Sequence, residues 1–190
     1  VIARTGWSGE LSYELYLQDR KKGDELFEIV HEAAKEFNGA VIAPNTIRTI
    51  EGGLLSYQSD FGREHNPFTI GLDRLVDLDQ DIDFIGKEAL KKIKSEGISE
   101  KLVGVEIDGD PIQKVPENFW PVFDENHKKI GRLSRCFFSP RLKKNIGLAI
   151  IDIDFVEPGT PLVIESPKAH LNAQVHELPW FPAEKSTNLD

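Results

Sequence analysis

Residues 129–151 read KIGRLSRCFFSPRLKKNIGLAII, and this stretch contains the clearest fold signal in the sequence. Two runs, Lys129–Phe138 and Ile146–Ile151, are rich in apolar residues, and a polar segment that begins at Ser139-Pro140 separates them. Short apolar runs bounded by Pro and Asn are typical of β-strands joined by a turn. We therefore predict two strands here.

Four more strands are predicted around this pair: Leu102–Ile107, Trp120–Phe123, Pro161–Glu165 and Ala173–Leu178. Many short strands separated by turns of Gly, Pro, Asn and Asp indicate an all-β barrel or sandwich. The pattern changes near 95–101, so we expect two domains, 1–97 and 98–190.

The first of these domains mixes strands with helices. The predicted strands are Val1–Arg4, Leu11–Leu17 and Ala40–Ala43; the predicted helices are Asp24–Phe37, a helix capped by Asn45 that ends at Gly52-Gly53, and Ile85–Glu96. Such an order indicates α+β or α/β packing. In Leu11–Leu17 the period of two predicts a core face and a second face; the core face carries Leu11, Tyr13, Leu15 and Leu17, and the second carries Ser12, Glu14 and Tyr16.

Composition narrows the function classes. The formal net charge is −9 and the pI is about 5.1, so general binding to nucleic acid is not expected. The single Cys136 excludes an internal disulfide and a cysteine-based zinc site, which is compatible with a cytoplasmic location. No apolar run approaches the roughly 20 residues of a membrane helix, and no signal peptide is visible. Because the sequence has no Met and starts at Val1, we expect a fragment of a longer protein.

A glycine-flanked turn precedes the second strand and offers a candidate binding site. Trp7 lies between Gly6 and Gly9, where an exposed indole could stack on a flat ring. Glu14 could accept two parallel N–H bonds from an amidine-like edge, such as that of a pterin. The alternative is a Trp that packs on its own sheet beside a solvated Glu.

Three other patterns each have an ordinary structural alternative. Asp77, Asp79, Asp81, Asp83 and Glu88 have the acidic spacing of a calcium loop, but Ile82 occupies the position that favours Gly, and an exposed strand before a helix fits equally. A basic segment contains Arg132, Arg135, Arg141, Lys143 and Lys144. It could hold an anionic tail of a ligand or form a solvated loop. The five histidines show no metal-ligand helical spacing, so no metal site is predicted; they are His31, His65, His127, His170 and His176.

Four segments in the same order resemble the folate-dependent aminomethyltransferase family. Residues 3–10, ARTGWSGE, with 13–16, YELY, resemble its RTGYTGE…FEI signature, and residues 50–57, IEGGLLSY, resemble its LEAGLxLYG helix end. Residues 83–90, DFIGKEAL, resemble DFIGREAL, and residues 131–149 resemble its GxVTSGxxSPxLxxNIALA segment. Together these segments span nearly the whole chain.

This resemblance implies an α+β fold: the C-terminal part of a folate-binding, ferredoxin-like domain followed by a small β-barrel. It implies tetrahydrofolate as cofactor and a small one-carbon donor as partner, without nucleic acid or membrane. The family's acidic residue beside the reacting folate nitrogen belongs to an N-terminal half that we expect to be absent. No catalytic residue is therefore assigned.

By carry-over, Glu14 matches the carboxylate that grips the pterin, and Trp7 matches an aromatic residue beside the folate. A folate-contacting Arg of the family falls on Asn45 here. Trp7, the Pro44-Asn45 pair and the GGLLSY run are closer to the dimethylsulfoniopropionate demethylases, in which Tyr16 would join the site.

The resemblance therefore implies a one-carbon transferase that is demethylase-like. One alternative is the aminomethyltransferase (T-protein) of the glycine cleavage system, which would also need a lipoyl carrier protein. Two others are a non-catalytic folate-binding module and a protein-interaction barrel.

Overall fold

The computed structural model describes residues 1–6, 11–43 and 45–181. Its strands are β1 (Ile2–Ala3), β2 (Glu14–Leu15), β3 (Glu100–Ile107), β4 (Trp120–Phe123), β5 (Lys129–Ser139), β6 (Lys144–Asp152), β7 (Pro161–Glu165) and β8 (His170–His176). Its α-helices are α1 (Gly23–Lys35), α2 (Thr46–Glu51) and α3 (Lys87–Glu96). The mixed helix-and-strand class predicted from the sequence is confirmed.

The last six strands form a closed antiparallel barrel in the order β3-β6-β5-β4-β7-β8. Closure selects the barrel over the sandwich, and it leaves no sheet edge without a partner strand. All six predicted barrel strands are found, and β4 and β7 have the predicted bounds. The core contains Val105, Val122, Leu133, Ile151 and Ile164, each fully buried.

Strand β6 is buried on both faces, which explains its nearly continuous apolar sequence. Ala149 and Ile151 belong to the barrel core, whereas Ile146, Leu148 and Ile150 belong to a second cluster outside it. Ile50 of α2 completes this second cluster, with Leu55, Leu178 and Trp180 packed at its margin. The upstream segment thus covers the outside of the barrel.

A buried polar network fixes the same upstream segment to β5. The guanidinium of Arg135 donates to both carboxylate oxygens of Asp60, at 2.8 and 2.6 Å, and also to Thr49 Oγ1 and the Leu54 carbonyl. Ser134 donates to Asp60 as well, at 2.8 Å. The buried carboxylate and guanidinium of this network are therefore paired with each other, as burial of charge requires.

The N-terminal segment departs from two predictions. Leu11, Tyr13, Leu15 and Leu17 are exposed rather than core, and Ala40–Ala43 forms no strand. Of the predicted strand Leu11–Leu17 only Glu14–Leu15 is found, and no other described part of the chain covers its apolar side chains. Helix α1 shows the same behaviour, since none of its residues is buried although Phe27 and Val30 lie on it. The domain boundary near residue 98 stays a prediction.

Candidate functional site

Glu14 and Tyr16 lie on one face of the N-terminal hairpin, as the period of two predicted. Strand β2 pairs with β1 so that Ala3 lies opposite Glu14. Thr5, two residues after Ala3, therefore lies on the same face of the hairpin as Glu14. The Tyr16 hydroxyl donates to Glu14 Oε2 at 2.8 Å, and the Thr5 hydroxyl donates to the same oxygen. The hairpin therefore gathers two hydroxyl groups around one carboxylate.

These contacts bias the ionisation of the cluster. The Thr5 hydroxyl, and after it the Tyr16 hydroxyl, lower the pKa of Glu14 below its ordinary value. The same Glu14 carboxylate raises the pKa of Tyr16 above its ordinary value. At neutral pH the cluster thus presents an ionised carboxylate and a neutral phenol, a combination that accepts hydrogen bonds from N–H donors.

The other two predicted cofactor residues have different outcomes. Trp7 falls in residues 7–10, which lie outside the described residues, so its convergence with Glu14 stays a prediction. Asn45 is described, and its side-chain oxygen accepts hydrogen bonds from the backbone N–H groups of Ile47 at 2.9 Å and Arg48 at 3.4 Å. It is therefore the N-cap of α2, and a ligand contact by Asn45 also stays a prediction.

The cap gives a test that separates these roles. Asn45→Ala removes the acceptor and is expected to lower the free energy of unfolding by about 0.5–2 kcal/mol, whereas Asn45→Asp keeps an acceptor and is expected to change it little. Urea denaturation measures both. An unchanged stability in Asn45→Ala would contradict the capping role, and reduced tetrahydrofolate affinity in a stable Asn45→Asp would indicate ligand contact.

A cavity of about 680 Å³ lies elsewhere, between the end of α2, residues 70–74, β3 and residues 176–181. Glu14, Tyr16 and Asn45 do not line it. Glu51 and Arg141 do; Glu51 accepts from Ser139 at 2.6 Å, and Arg141 lies over the Phe181 ring at 3.8 Å. Glu14, Tyr16 and Asn45 are therefore separate from this cavity.

The basic segment is dispersed over several contacts instead of forming one patch. Arg135 is buried against Asp60, Arg132 lies near His65 and Phe119, and Lys144 bonds to Glu106. A β-bulge between Leu133 and Arg135 interrupts the alternation of β5, so that Ser134 and Arg135 both contact Asp60, whereas Arg132 and Lys144 contact other parts of the chain.

The acidic segment from Asp77 to Glu88 contains its own cation. The Lys87 ammonium is buried and donates to the backbone carbonyls of Gln80 and Ile82. Asp77 instead accepts from the N–H groups of Asp79 and Gln80, in a local turn. The segment therefore forms a turn before α3 in place of the exposed strand of the structural alternative, and these contacts favour that local structure over a calcium loop.

One carboxylate–imidazole group was missed at the sequence level. Glu28, His31 and Glu32 of α1 each have a potential ligand atom within 4.8 Å of the others, and their spacing of three and four residues was the available signal. The group is on the exposed helix surface, and Glu32 forms an ion pair with Lys35.

Thr5 was also missed, because only the strand register places it beside Glu14. Burial raises the pKa of Cys136 to about 12, which makes this thiol unreactive.

Two family models match the chain. The glycine cleavage T-protein C-terminal barrel domain matches residues 100–182, and the GCVT N-terminal domain matches residues 1–80. The chain belongs to the glycine cleavage T-protein superfamily. Within that superfamily it is 36% identical to an aminomethyltransferase of a Geobacillus strain, over 97% of this chain and 50% of that protein. It is 29% identical to a dimethylsulfoniopropionate demethylase of Ruegeria pomeroyi, over 95% of this chain and 48% of that protein.

The fold agrees with this membership of the T-protein superfamily. The crystal structure of a glycine cleavage system aminomethyltransferase T from Bartonella henselae superposes with a TM-score of 0.82 at 20% identity, covering 96% of this chain and 50% of that chain. The chain thus spans about half the length of the curated relatives it matches. Among the described residues, no helix has both the length and the apolar character needed to cross a membrane.

Proposed function

We propose that the intact protein transfers a one-carbon unit to tetrahydrofolate and that Glu14 holds the pterin. The observation that carries the proposal is the ionised, exposed Glu14 carboxylate on the hairpin that also carries the family's signature segment. Membership of the T-protein superfamily supports it. Tetrahydrofolate, when bound, would supply N5 as the nucleophile that accepts the one-carbon unit.

The hairpin chemistry fits such a ligand. The pterin edge presents neighbouring N–H donors, and an ionised carboxylate is the strongest side-chain acceptor for them. Tyr16 and Trp7 would complete the site by resemblance, with Asn45 at the start of α2. The chain's own part is to bind and orient the cofactor, because holding two reactants in the right geometry contributes much of such a rate enhancement.

Two one-carbon donors have specific support. The aminomethyltransferase relatives are the more similar, at 32–37% identity against 29% for the demethylase, which favours an aminomethyl group carried on a lipoyl protein. Trp7, Asn45 and the GGLLSY run of residues 52–57 favour a methyl group from dimethylsulfoniopropionate. In that second reaction a bond would form from N5 to the methyl carbon, the sulfonium carbon–sulfur bond would break with its electron pair left on a neutral thioether, and the N5 proton would pass to solvent. The thioether leaves without protonation, so little acid–base chemistry is needed from the protein.

Proton NMR of the intact protein with tetrahydrofolate separates the two donors. Formation of methylthiopropionate from dimethylsulfoniopropionate would support the demethylase, whereas turnover only with an aminomethyl-lipoyl carrier would support the aminomethyltransferase. If tetrahydrofolate binds but neither donor reacts, the folate-binding module is favoured. Absence of tetrahydrofolate binding at millimolar concentration would remove every folate function.

Glu14→Gln tests the cofactor contact. The amide keeps the shape of the side chain, but Thr5 and Tyr16 would take its only oxygen and leave an NH₂ group facing the ligand's donors. We expect tetrahydrofolate affinity to fall at least about tenfold, because charge-assisted hydrogen bonds are lost. Isothermal calorimetry of the intact protein measures this change.

The matched control is Glu88→Gln on α3. Glu88 is a highly exposed carboxylate bonded to Lys91 at 2.8 Å, so this variant makes the same chemical change away from the hairpin. Its affinity is expected to equal that of the wild type. An equal affinity in Glu14→Gln would remove Glu14 from the site.

A further inference from the structure

The two oxygens of Glu14 have different surroundings. Oε2 accepts both the Thr5 and the Tyr16 hydroxyl protons, which fills the two lone-pair positions of that oxygen. No hydrogen bond from any described residue reaches Oε1. The sequence predicted a carboxylate that accepts two parallel N–H bonds from a ligand, and within the described residues only Oε1 has no hydrogen-bond partner.

We propose that Thr5 and Tyr16 are positioning residues that hold Glu14 through Oε2 and present Oε1 to the ligand. This inference rests on the proposed function for the identity of the ligand, an amidine-like donor edge, but the arrangement itself exists without ligand. Tyr16 thereby acts on the ligand through Glu14, in addition to any direct contact that Tyr16 makes with the ligand. Thr5 acts on the ligand only through its hydrogen bond to Glu14.

The pairing of β1 with β2 fixes the positions of Thr5 and Tyr16 relative to Glu14. Tyr16 and Val1 exchange two backbone hydrogen bonds, of 2.8 and 2.9 Å, and Ala3 pairs with Glu14. Thr5 follows β1 by two residues, so its hydroxyl approaches Glu14 from the facing strand, while Tyr16 approaches from the same strand. Two donors from two directions restrict rotation of the carboxylate, which lowers the entropy lost when a ligand binds.

The groups that face Glu14 agree with a positioning role. Among the described residues, its side-chain partners are the Thr5 hydroxyl, which does not titrate, and the Tyr16 phenol, whose pKa is raised above its ordinary value. No described Lys, Arg or His forms an ion pair with Glu14 in this structure. The pKa of the Glu14 carboxyl thus depends on the hydrogen bonds from these two hydroxyl groups, and a titration of Glu14 measures it.

Carbon-13 NMR of selectively labelled glutamate carboxyls in the unliganded protein tests this arrangement, and the spectrum of Glu14→Gln assigns the Glu14 signal. Thr5→Val removes the first donor and is expected to move the pKa of Glu14 up toward its ordinary value, and Tyr16→Phe is expected to move it in the same direction by less. Thr5→Ser restores a hydroxyl and is expected to restore the wild-type titration. An unchanged titration in Thr5→Val would overturn the proposal.

A double-mutant cycle links the arrangement to ligand binding. Thr5→Val is expected to weaken tetrahydrofolate binding severalfold in the wild-type background and to have no further effect when Glu14 is already Gln. Equal effects in both backgrounds would overturn the positioning role. If tetrahydrofolate does not bind but the carboxyl titration moves as expected, the proposed function fails while the positioning of Glu14 stands.

Discussion

Asp60→Ala is expected to lower the free energy of unfolding by about 3–5 kcal/mol, because it leaves a buried charge without its partner. Asp60 is fully buried, and Arg135 is 9% exposed. The variant removes both carboxylate contacts of the guanidinium and one partner of Ser134, while Thr49 and Leu54 can satisfy only part of what remains. Guanidinium chloride denaturation followed by tryptophan fluorescence gives the midpoint and slope.

The size of this effect measures the cost of breaking the network, because a buried ion pair as a whole can contribute little against a well-packed apolar replacement. Asp60→Asn keeps the volume and one acceptor, so an intermediate loss is expected. The exposed pair of Glu88 and Lys91 supplies the comparison, since removing such a pair costs about 0–1 kcal/mol. A loss below about 1 kcal/mol in Asp60→Ala would show that water or relaxation satisfies Arg135.

This network also marks the limit of what sequence patterns reveal. The barrel strands were predictable because short apolar runs and turn residues are local signals, and β4 and β7 were located to the residue. The Asp60–Arg135 contact joins residues 75 apart in the chain, and the sequence around either residue does not identify its partner. Polar residues inside an otherwise apolar strand, such as Ser134 and Arg135, were the only hint.

The N-terminal hairpin shows a different limit. Its period of two correctly placed Glu14 and Tyr16 on one face, but the apolar face of Leu11 and Leu15 is exposed. A pattern reveals which side chains share a face and does not reveal what covers that face. The role proposed for Thr5 needed the pairing of β1 with β2, which places residues 3 and 14 opposite one another.

Gly131→Ala is the second change expected to have a large effect, because the barrel wall has no space for one added carbon. Gly131 lies in β5 opposite Ile151 of β6 and Val122 of β4. A Cβ at this position would overlap the Ile150 carbonyl oxygen and would lie 2.7 Å from Ile151 Cα. Both obstacles are backbone atoms of a paired strand, so rotation of a side chain cannot relieve them.

We expect Gly131→Ala to lower the free energy of unfolding by about 3 kcal/mol or more, at the upper end of the range for overpacked cores, because two strands must move apart. Gly23→Ala is the matched control: Gly23 begins α1 with a φ of −58°, and an added Cβ would meet nothing within 4 Å. That variant is expected to be neutral or more stable by up to about 1 kcal/mol, since Ala restricts the unfolded chain. Chemical denaturation of both variants separates the steric effect of the added Cβ from the effect of losing a flexible glycine. If Gly131→Ala and Gly23→Ala had the same free energy of unfolding, β5 and β6 would be able to separate freely at residue 131.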